Sequence, residues 1–179
     1  MKRFSYDDLP VSRWRNGGGE TREIMSFPPG KEQFGWRASI ATISADGPFS
    51  LFPHVDRVIT LLHGDDVLLS APGVQHRLTP LQPWAFSGEL ALSACLNGSA
   101  SEDFNIMTRR DSWQATVAIT STLACSENGV AWVLSGEWQL ANGEKLSRQQ
   151  GVWWTDETMQ LRPGSDDAQL LFICLSRVL

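Results

Sequence analysis

Long apolar runs are missing from this chain of 179 residues. No stretch approaches the roughly 18 consecutive hydrophobic residues of a membrane-spanning helix. A basic surplus is missing too: the formal charge is −5, the opposite of the basic stripe that a nucleic-acid surface needs. Histidine is scarce, with His54, His63 and His76 in turn-like contexts and no ligand spacing between them. The three cysteines, Cys95, Cys125 and Cys174, lie far apart without a CxxC pair. That excludes a disulfide framework or a zinc knuckle and leaves buried, reduced thiols as the expectation. The opening residues, Met1–Asp8, turn acidic where a signal peptide would carry an apolar core, so a cytoplasmic protein is expected.

What is present is hydrophobic content of 42% with 20% charged residues, the balance of a globular domain that buries a core. Eight tryptophans stand against one tyrosine. Trp36, Trp84, Trp132, Trp153 and Trp154 fall inside strand-like runs and are read mainly as core. Short runs of Val, Ile, Leu, Trp and Thr are punctuated throughout by Gly, Pro and Asn-Gly, the texture of strands and tight turns. Trp36–Thr42 alternates, with Trp36, Ala38 and Ile40 on one face and Arg37, Ser39 and Ala41 on the other. Asn97–Glu102 reads as a small polar loop and Asp103–Arg109 as the strand after it. No long amphipathic helix is found, so the class is all-β.

The most distinctive stretch is Trp14-Arg15-Asn16-Gly17-Gly18-Gly19-Glu20-Thr21. Three consecutive glycines mark either a plain hairpin loop or a place where bare backbone approaches something bound. A nucleotide loop would need a helix after the glycines. Instead Thr21–Phe27 reads as a strand, ended by Pro28-Pro29-Gly30.

The chain also repeats itself. Val58–Leu68 aligns without a gap on Val130–Leu140, each carrying a strand, a Leu-x-Gly-acid turn and a second strand. Further on, Leu78–Phe86 parallels Leu146–Trp154. Two aligned blocks in the same order predict a duplicated unit, two small barrels each built from two facing sheets.

Taken together, Trp14–Ile24, Trp36–Ser39, Asp46–Pro53 with Asp56-Arg57, and Asp103–Arg109 resemble the HutD/Ves family of the cupin superfamily. The resemblance implies a bicupin, two jelly-roll barrels in one chain. The expected division is residues 1–110, an N-terminal barrel holding the ligand pocket, and residues 111–179, a degenerate C-terminal barrel. It also implies a setting in stress or amino-acid catabolism, with a small acidic metabolite of histidine utilisation as a candidate by analogy. Many cupins hold a metal on a His-x-His pair and a glutamate. Counting back from Gly64, the glutamate position falls on Arg57 and the histidine positions on Ser50 and Phe52 or one residue later. A guanidinium cannot ligate a metal, so no metal and no other cofactor is expected.

Arg57 is instead the centre of the expected site. On one reading it clamps an anionic small molecule, with Arg37, Ser39, Ser50 and Asn105 adding hydrogen bonds. On the other it forms an internal ion pair with Asp103 or Glu23. Alternation puts Asp103, Asn105, Met107 and Arg109 on one strand face, a polar lining unusual for a barrel core. Phe52, Phe104 and Met107 complete the expected pocket. Asn16, Gly17, Gly18 and Thr21 form its rim, where bare backbone and two polar side chains meet the ligand. The expected function is metal-independent binding of a small carboxylate-bearing metabolite, by a binding or regulatory protein rather than an enzyme. Two alternatives stand beside it. One is an isomerase or lyase-like enzyme using Glu23 or Asp103 as general base, which requires a pocket carboxylate not saturated by arginine. The other is a structural stress protein whose interior is filled. No nucleic-acid or membrane partner is expected, and edge strands leave a homodimer open.

Overall fold

The alternating and β-branched runs become strands in the computed structural model, which describes residues 1–179. In chain order they are β1 (Lys2–Ser5), β2 (Val11–Arg13), β3 (Gly19–Phe27), β4 (Trp36–Ile43), β5 (Gly47–Pro48) and β6 (Val55–His63). Next come β7 (Val67–Ala71), β8 (Val74–Leu78), β9 (Trp84–Ser87), β10 (Ser93–Leu96), β11 (Ser101–Arg109) and β12 (Trp113–Thr120). The remainder are β13 (Ala124–Ser126), β14 (Gly129–Ser135), β15 (Trp138–Leu140), β16 (Lys145–Leu146), β17 (Gln150–Trp154), β18 (Met159–Pro163) and β19 (Gln169–Arg177). The one helical element is a single 3₁₀ turn at Tyr6–Asp8. No helix is long and apolar enough to cross a membrane.

The strands divide into two compact units, residues 10–113 with 178–179, and residues 1–9 with 114–177. In the first, a six-stranded sheet β2-β3-β4-β11-β6-β9 accompanies a four-stranded sheet β5-β10-β7-β8. The second has β1-β17-β14-β19-β12 and β13-β18-β15-β16. Adding eight to each label of β4-β11-β6-β9 gives β12-β19-β14-β17, and the same step turns β5-β10-β7-β8 into β13-β18-β15-β16. The repeat read from the sequence is therefore a repeat of topology, two eight-stranded jelly rolls with extra strands at one edge of each. Even a register irregularity recurs, at Glu102/Asp103 where β11 meets β6 and at Val133/Ser135 where β14 meets β19.

Each unit has its own apolar core. Ile59, Leu61, Val67, Leu69, Leu78 and Leu92 fill part of the first, and Trp138, Trp154, Val133, Leu161 and Leu170 the second. Complete burial of one such side chain contributes about 1.5–3 kcal/mol, so these clusters dominate the stability of their units.

Four details depart from the sequence reading. Strand β1 pairs with β17, Lys2 opposite Trp153 and Ser5 opposite Gln150, so it belongs with the C-terminal strands. Strand β11 begins at Ser101, within the expected loop, because the Ser101 side chain turns inward to donate to the Asp65 carbonyl at 2.8 Å. Glu102, also assigned to that loop, is likewise a buried strand residue. Finally, the cysteines are not buried: Cys95 and Cys125 are exposed and Cys174 is intermediate. Cys95 and Cys125 occupy outward positions of their strands, a parity that isolated apolar context does not reveal.

Candidate functional site

Register in the six-stranded sheet sets side chains in rows across its inner face. Arg37, Met107, Arg57 and Phe86 form one row, through the pairs Met107 with Arg37, Met107 with Arg57, and Arg57 with Phe86. The next holds Glu23, Ser39, Asn105 and Ile59, and the third Thr21, Ala41, Asp103 and Leu61. Every second residue of a strand points the same way, so the polar members gather on one side. They line a cavity of about 550 Å³. Buried Arg57, Ser39, Asp103, Asn105 and Met107 make its depth. Exposed Ser12, Arg13, Arg15, Asn16, Pro48 and Ser50 stand at its rim.

Arg57 is 6% exposed and sits among aromatic rings, its guanidinium carbon 4.9 Å from the Phe86 centroid, 5.4 Å from Phe52 and 5.5 Å from Phe49. Its Nε donates to Asn105 Oδ1 and its Nη1 to the Ser50 carbonyl, both at a long 3.4 Å. It forms no ion pair. A guanidinium has five N–H donors, so most of this one's hydrogen-bonding capacity is unspent. Burial pushes its pKa down to about 10, against the attraction of Asp103 and with the repulsion of Arg37. Such a charge is held at a cost unless a partner arrives.

Asp103, fully enclosed on β11, is the one carboxylate in the lining. Burial raises its pKa from 3.8 to about 7, although Arg57's charge and a hydrogen bond from the Asn105 side chain both favour ionisation. Its Oδ1 is buried without a hydrogen-bond partner. Asn105 thus lies between the two charges, its Oδ1 accepting from Arg57 and its side chain favouring the ionised form of Asp103. The ion-pair reading of Arg57 loses both its partners: Asp103 is not in ion-pairing contact, and Glu23 bonds Arg37 Nε at 2.8 Å instead. Counting Arg13, Arg15, Arg37 and Arg57 against Asp103, the lining carries a surplus of three positive charges in a chain whose net charge is −5.

The glycine run is explained by its hairpin. Trp14 N donates to the Gly19 carbonyl at 2.9 Å, and Gly17 N to the Trp14 carbonyl at 3.0 Å. Asn16 Oδ1 accepts from Gly18 N at 2.8 Å, and Trp14 Nε1 donates to Thr21 Oγ1 at 2.9 Å. Gly17 has φ +73°, and a Cβ on Gly19 would stand 2.3 Å from the Thr42 carbonyl oxygen. These needs are internal.

Of the residues expected in the pocket, Asn16, Thr21, Arg37, Ser39, Ser50, Phe52, Arg57, Asp103, Asn105 and Met107 do line one cavity. Gly17 and Gly18 do not; Gly17 is exposed at the hairpin turn, and the Gly18 carbonyl accepts from the Ser44 and Ala45 amides. Phe104 does not either. It follows Asp103 on the strand, so the alternation that turns Asp103 inward turns Phe104 to the opposite face, where it is 1% exposed. Glu23 is not part of the lining and pairs with Arg37. The sequence reading missed Arg13, Arg15, Trp14 and Phe49. An arginine on each side of Trp14 was the available signal for a cationic rim.

The cupin metal positions converge as expected, since Ser50, Phe52 and Arg57 all line the cavity. They offer a hydroxyl, a hydrocarbon ring and a cation, a set that does not fit a divalent ion. No cluster of three or more His, Cys, Asp or Glu side chains is placed to hold one elsewhere.

The second unit is an internal control. By the same pairing geometry, Asp103, Asn105 and Met107 correspond to Leu170, Phe172 and Cys174, and Arg57 to Gly129. There the Trp154 ring comes within 2.6 Å of where a Gly129 Cβ would be, so an indole occupies the space. One copy is polar and hollow, and the other has an apolar core at the matching positions.

Comparison with known proteins agrees with this architecture. The HutD family model matches residues 6–172. Protein Ves of Citrobacter koseri is 48% identical over 178 residues, covering 96% of this chain and 92% of that protein. HutD from Pseudomonas fluorescens SBW25, solved in a formate condition, is 27% identical with a TM-score of 0.86, covering 99% of both chains. Oxalate decarboxylase of Lactobacillus farciminis, in a formate complex, shares the fold at 7% identity with a TM-score of 0.69, covering 97% of this chain and 85% of that one.

Proposed function

Since this chain belongs to the HutD family and has the bicupin fold, we propose that it is a metal-independent cytoplasmic binding protein for a small carboxylate-bearing metabolite, held in its N-terminal barrel. One observation carries the reading: Arg57 is buried in a hollow barrel, caged by three phenylalanines, with no carboxylate in contact and most of its donors free. A carboxylate from the cavity side would take paired N–H donors and neutralise a charge that is otherwise held in an apolar cage. Arg13, Arg15 and Arg37 would draw anions toward it. The hollow interior speaks against a purely structural protein.

The test is a thermal-shift screen of wild type and Arg57→Met against a panel of small mono- and dicarboxylic acids. Several acids should stabilise the wild type and none the variant. A panel without effect on wild type would sink the reading.

A second reading keeps support from one observation. Asp103 faces the cavity without an arginine bound to it, and its pKa is pushed up to about 7, as a general base at neutral pH would need. On that reading the bound acid is a substrate whose proton Asp103 removes. Incubation of bound acids in deuterated water would show exchange of carbon-bound hydrogen, absent in Asp103→Asn.

A further inference from the structure

Asp103 Oδ1 is a buried oxygen that no protein donor reaches. The nearby guanidinium donors that are bonded go elsewhere, Arg37 Nε to Glu23, Arg57 Nε to Asn105 and Arg57 Nη1 to Ser50 O, and their remaining N–H groups do not reach Oδ1. The carboxyl belongs to the cavity lining and is 1% exposed, so the cavity is the side from which a further donor would approach it. A buried acceptor left unmatched costs about 1–3 kcal/mol, and more when charged. The Asn105 side chain and the charge of Arg57, which bonds Asn105 Oδ1, both favour the ionised form. What ionised Asp103 lacks is one further donor. At the matching position of the second unit stands Leu170, so the fold does not require a carboxylate here.

We propose that the ligand carries, besides its carboxylate, a nitrogen-bound hydrogen that donates to Asp103 Oδ1. The arginines take one end of the molecule and Asp103 the other, which makes the site selective for amino acids and their N–H-bearing derivatives over plain or hydroxy acids. This rests on the carboxylate-binding reading above and narrows its ligand class.

Matched acids test it by isothermal titration: succinate, malate and aspartate, then glutarate, 2-hydroxyglutarate and glutamate. Each set keeps the carbon skeleton and changes one substituent from hydrogen to hydroxyl to ammonium. In the wild type, the ammonium member of at least one set should bind about ten- to a hundredfold more tightly than the others. Asp103→Ala should still bind the plain diacid, which reports a folded site, and bind all three members alike. Asp103→Asn, which keeps an oxygen but not the charge, should fall between. Equal affinities in the wild type, or a preference that survives in Asp103→Ala, would overturn the nitrogen assignment and leave carboxylate binding intact. If both variants keep wild-type circular dichroism but lose every acid, Asp103 holds the carboxylate end, and the assignment is likewise overturned. If the wild type binds none of the six, both readings fall.

Discussion

Replacing Asp103 with asparagine is expected to stabilise the protein in mild alkali and leave it nearly unchanged in acid. The reasoning starts from burial, which raises the pKa of this carboxyl from 3.8 to about 7 in the folded protein. The unfolded chain keeps the ordinary value. A carboxyl whose pKa is raised by folding binds its proton more tightly in the native state. Its contribution is therefore fully favourable below pH 3.8 and is lost as pH climbs from there to about 7. The interval is about three units, and one unit corresponds to about 1.4 kcal/mol, so the wild type forfeits on the order of 4 kcal/mol across it. The attraction of Arg57 is already counted, because the shift is what remains after Arg57 and Asn105 have pulled the other way. Asparagine has the same shape and no proton to lose. In the difference between the two proteins the titrating groups not coupled to Asp103 cancel. Urea denaturation of both at about pH 4, 6 and 8 reads that difference directly. It should be near zero at the first, grow through the second and level off by the third. A difference that stays flat, or has the opposite slope, would refute the argument that burial dominates at Asp103.

Three further outcomes follow from named contacts. Arg57→Met should unfold at no lower urea concentration than wild type while losing anion binding, because the burial that depresses the Arg57 pKa also makes its charge costly to hold. Gly19→Ala should destabilise by about 1–3 kcal/mol, since its Cβ would press on the Thr42 carbonyl, whereas Gly17→Asn, with open space at φ +73°, should cost under about 1 kcal/mol; comparable losses in the two would contradict the hairpin account. His76 stacks on Trp84 at 4.3 Å, and partial burial lowers its pKa below the usual 6.5. The Trp84 share of the fluorescence, isolated by subtracting Trp84→Phe, should therefore change with a midpoint below pH 6.5, and a midpoint above it would break the assignment.

How far the sequence carried can be judged residue by residue. Strand class and the duplicated topology were legible because both depend on local alternation and on turns that recur in the chain. Arg57 was legible as the cavity residue because the glutamate of a known motif had a fixed distance from Gly64. The same alternation, applied consistently, places Phe104 opposite Asp103, so that error lay in reading aromatic character before parity. Other features depend on pairing between distant segments, which no local pattern encodes. The capture of Glu23 by Arg37, the unmatched oxygen of Asp103 and the partner of β1 are of this kind. The glycine run misled for a different reason. Its demand for small residues comes from the Thr42 carbonyl and the Trp14 ring, and a sequence shows the demand without showing its source.

The pairing of β1 with β17 has a consequence for how the chain is made. Residues 10–113 supply nearly all of one unit as a contiguous stretch, whereas the other unit is split between the first nine residues and the last third of the chain. Strand β1 must therefore wait for its partner until Gln150–Trp153 is synthesised. Phe4 then stacks on Trp132 at 5.7 Å, over Gly151, whose missing side chain leaves the room. At the other end, Val178 N bonds the Ser112 carbonyl at 3.0 Å, so the last residues return to the first unit. Cutting the gene between its two repeats would part β1 from β17, leaving the C-terminal half without the strand that borders Gln150–Trp153.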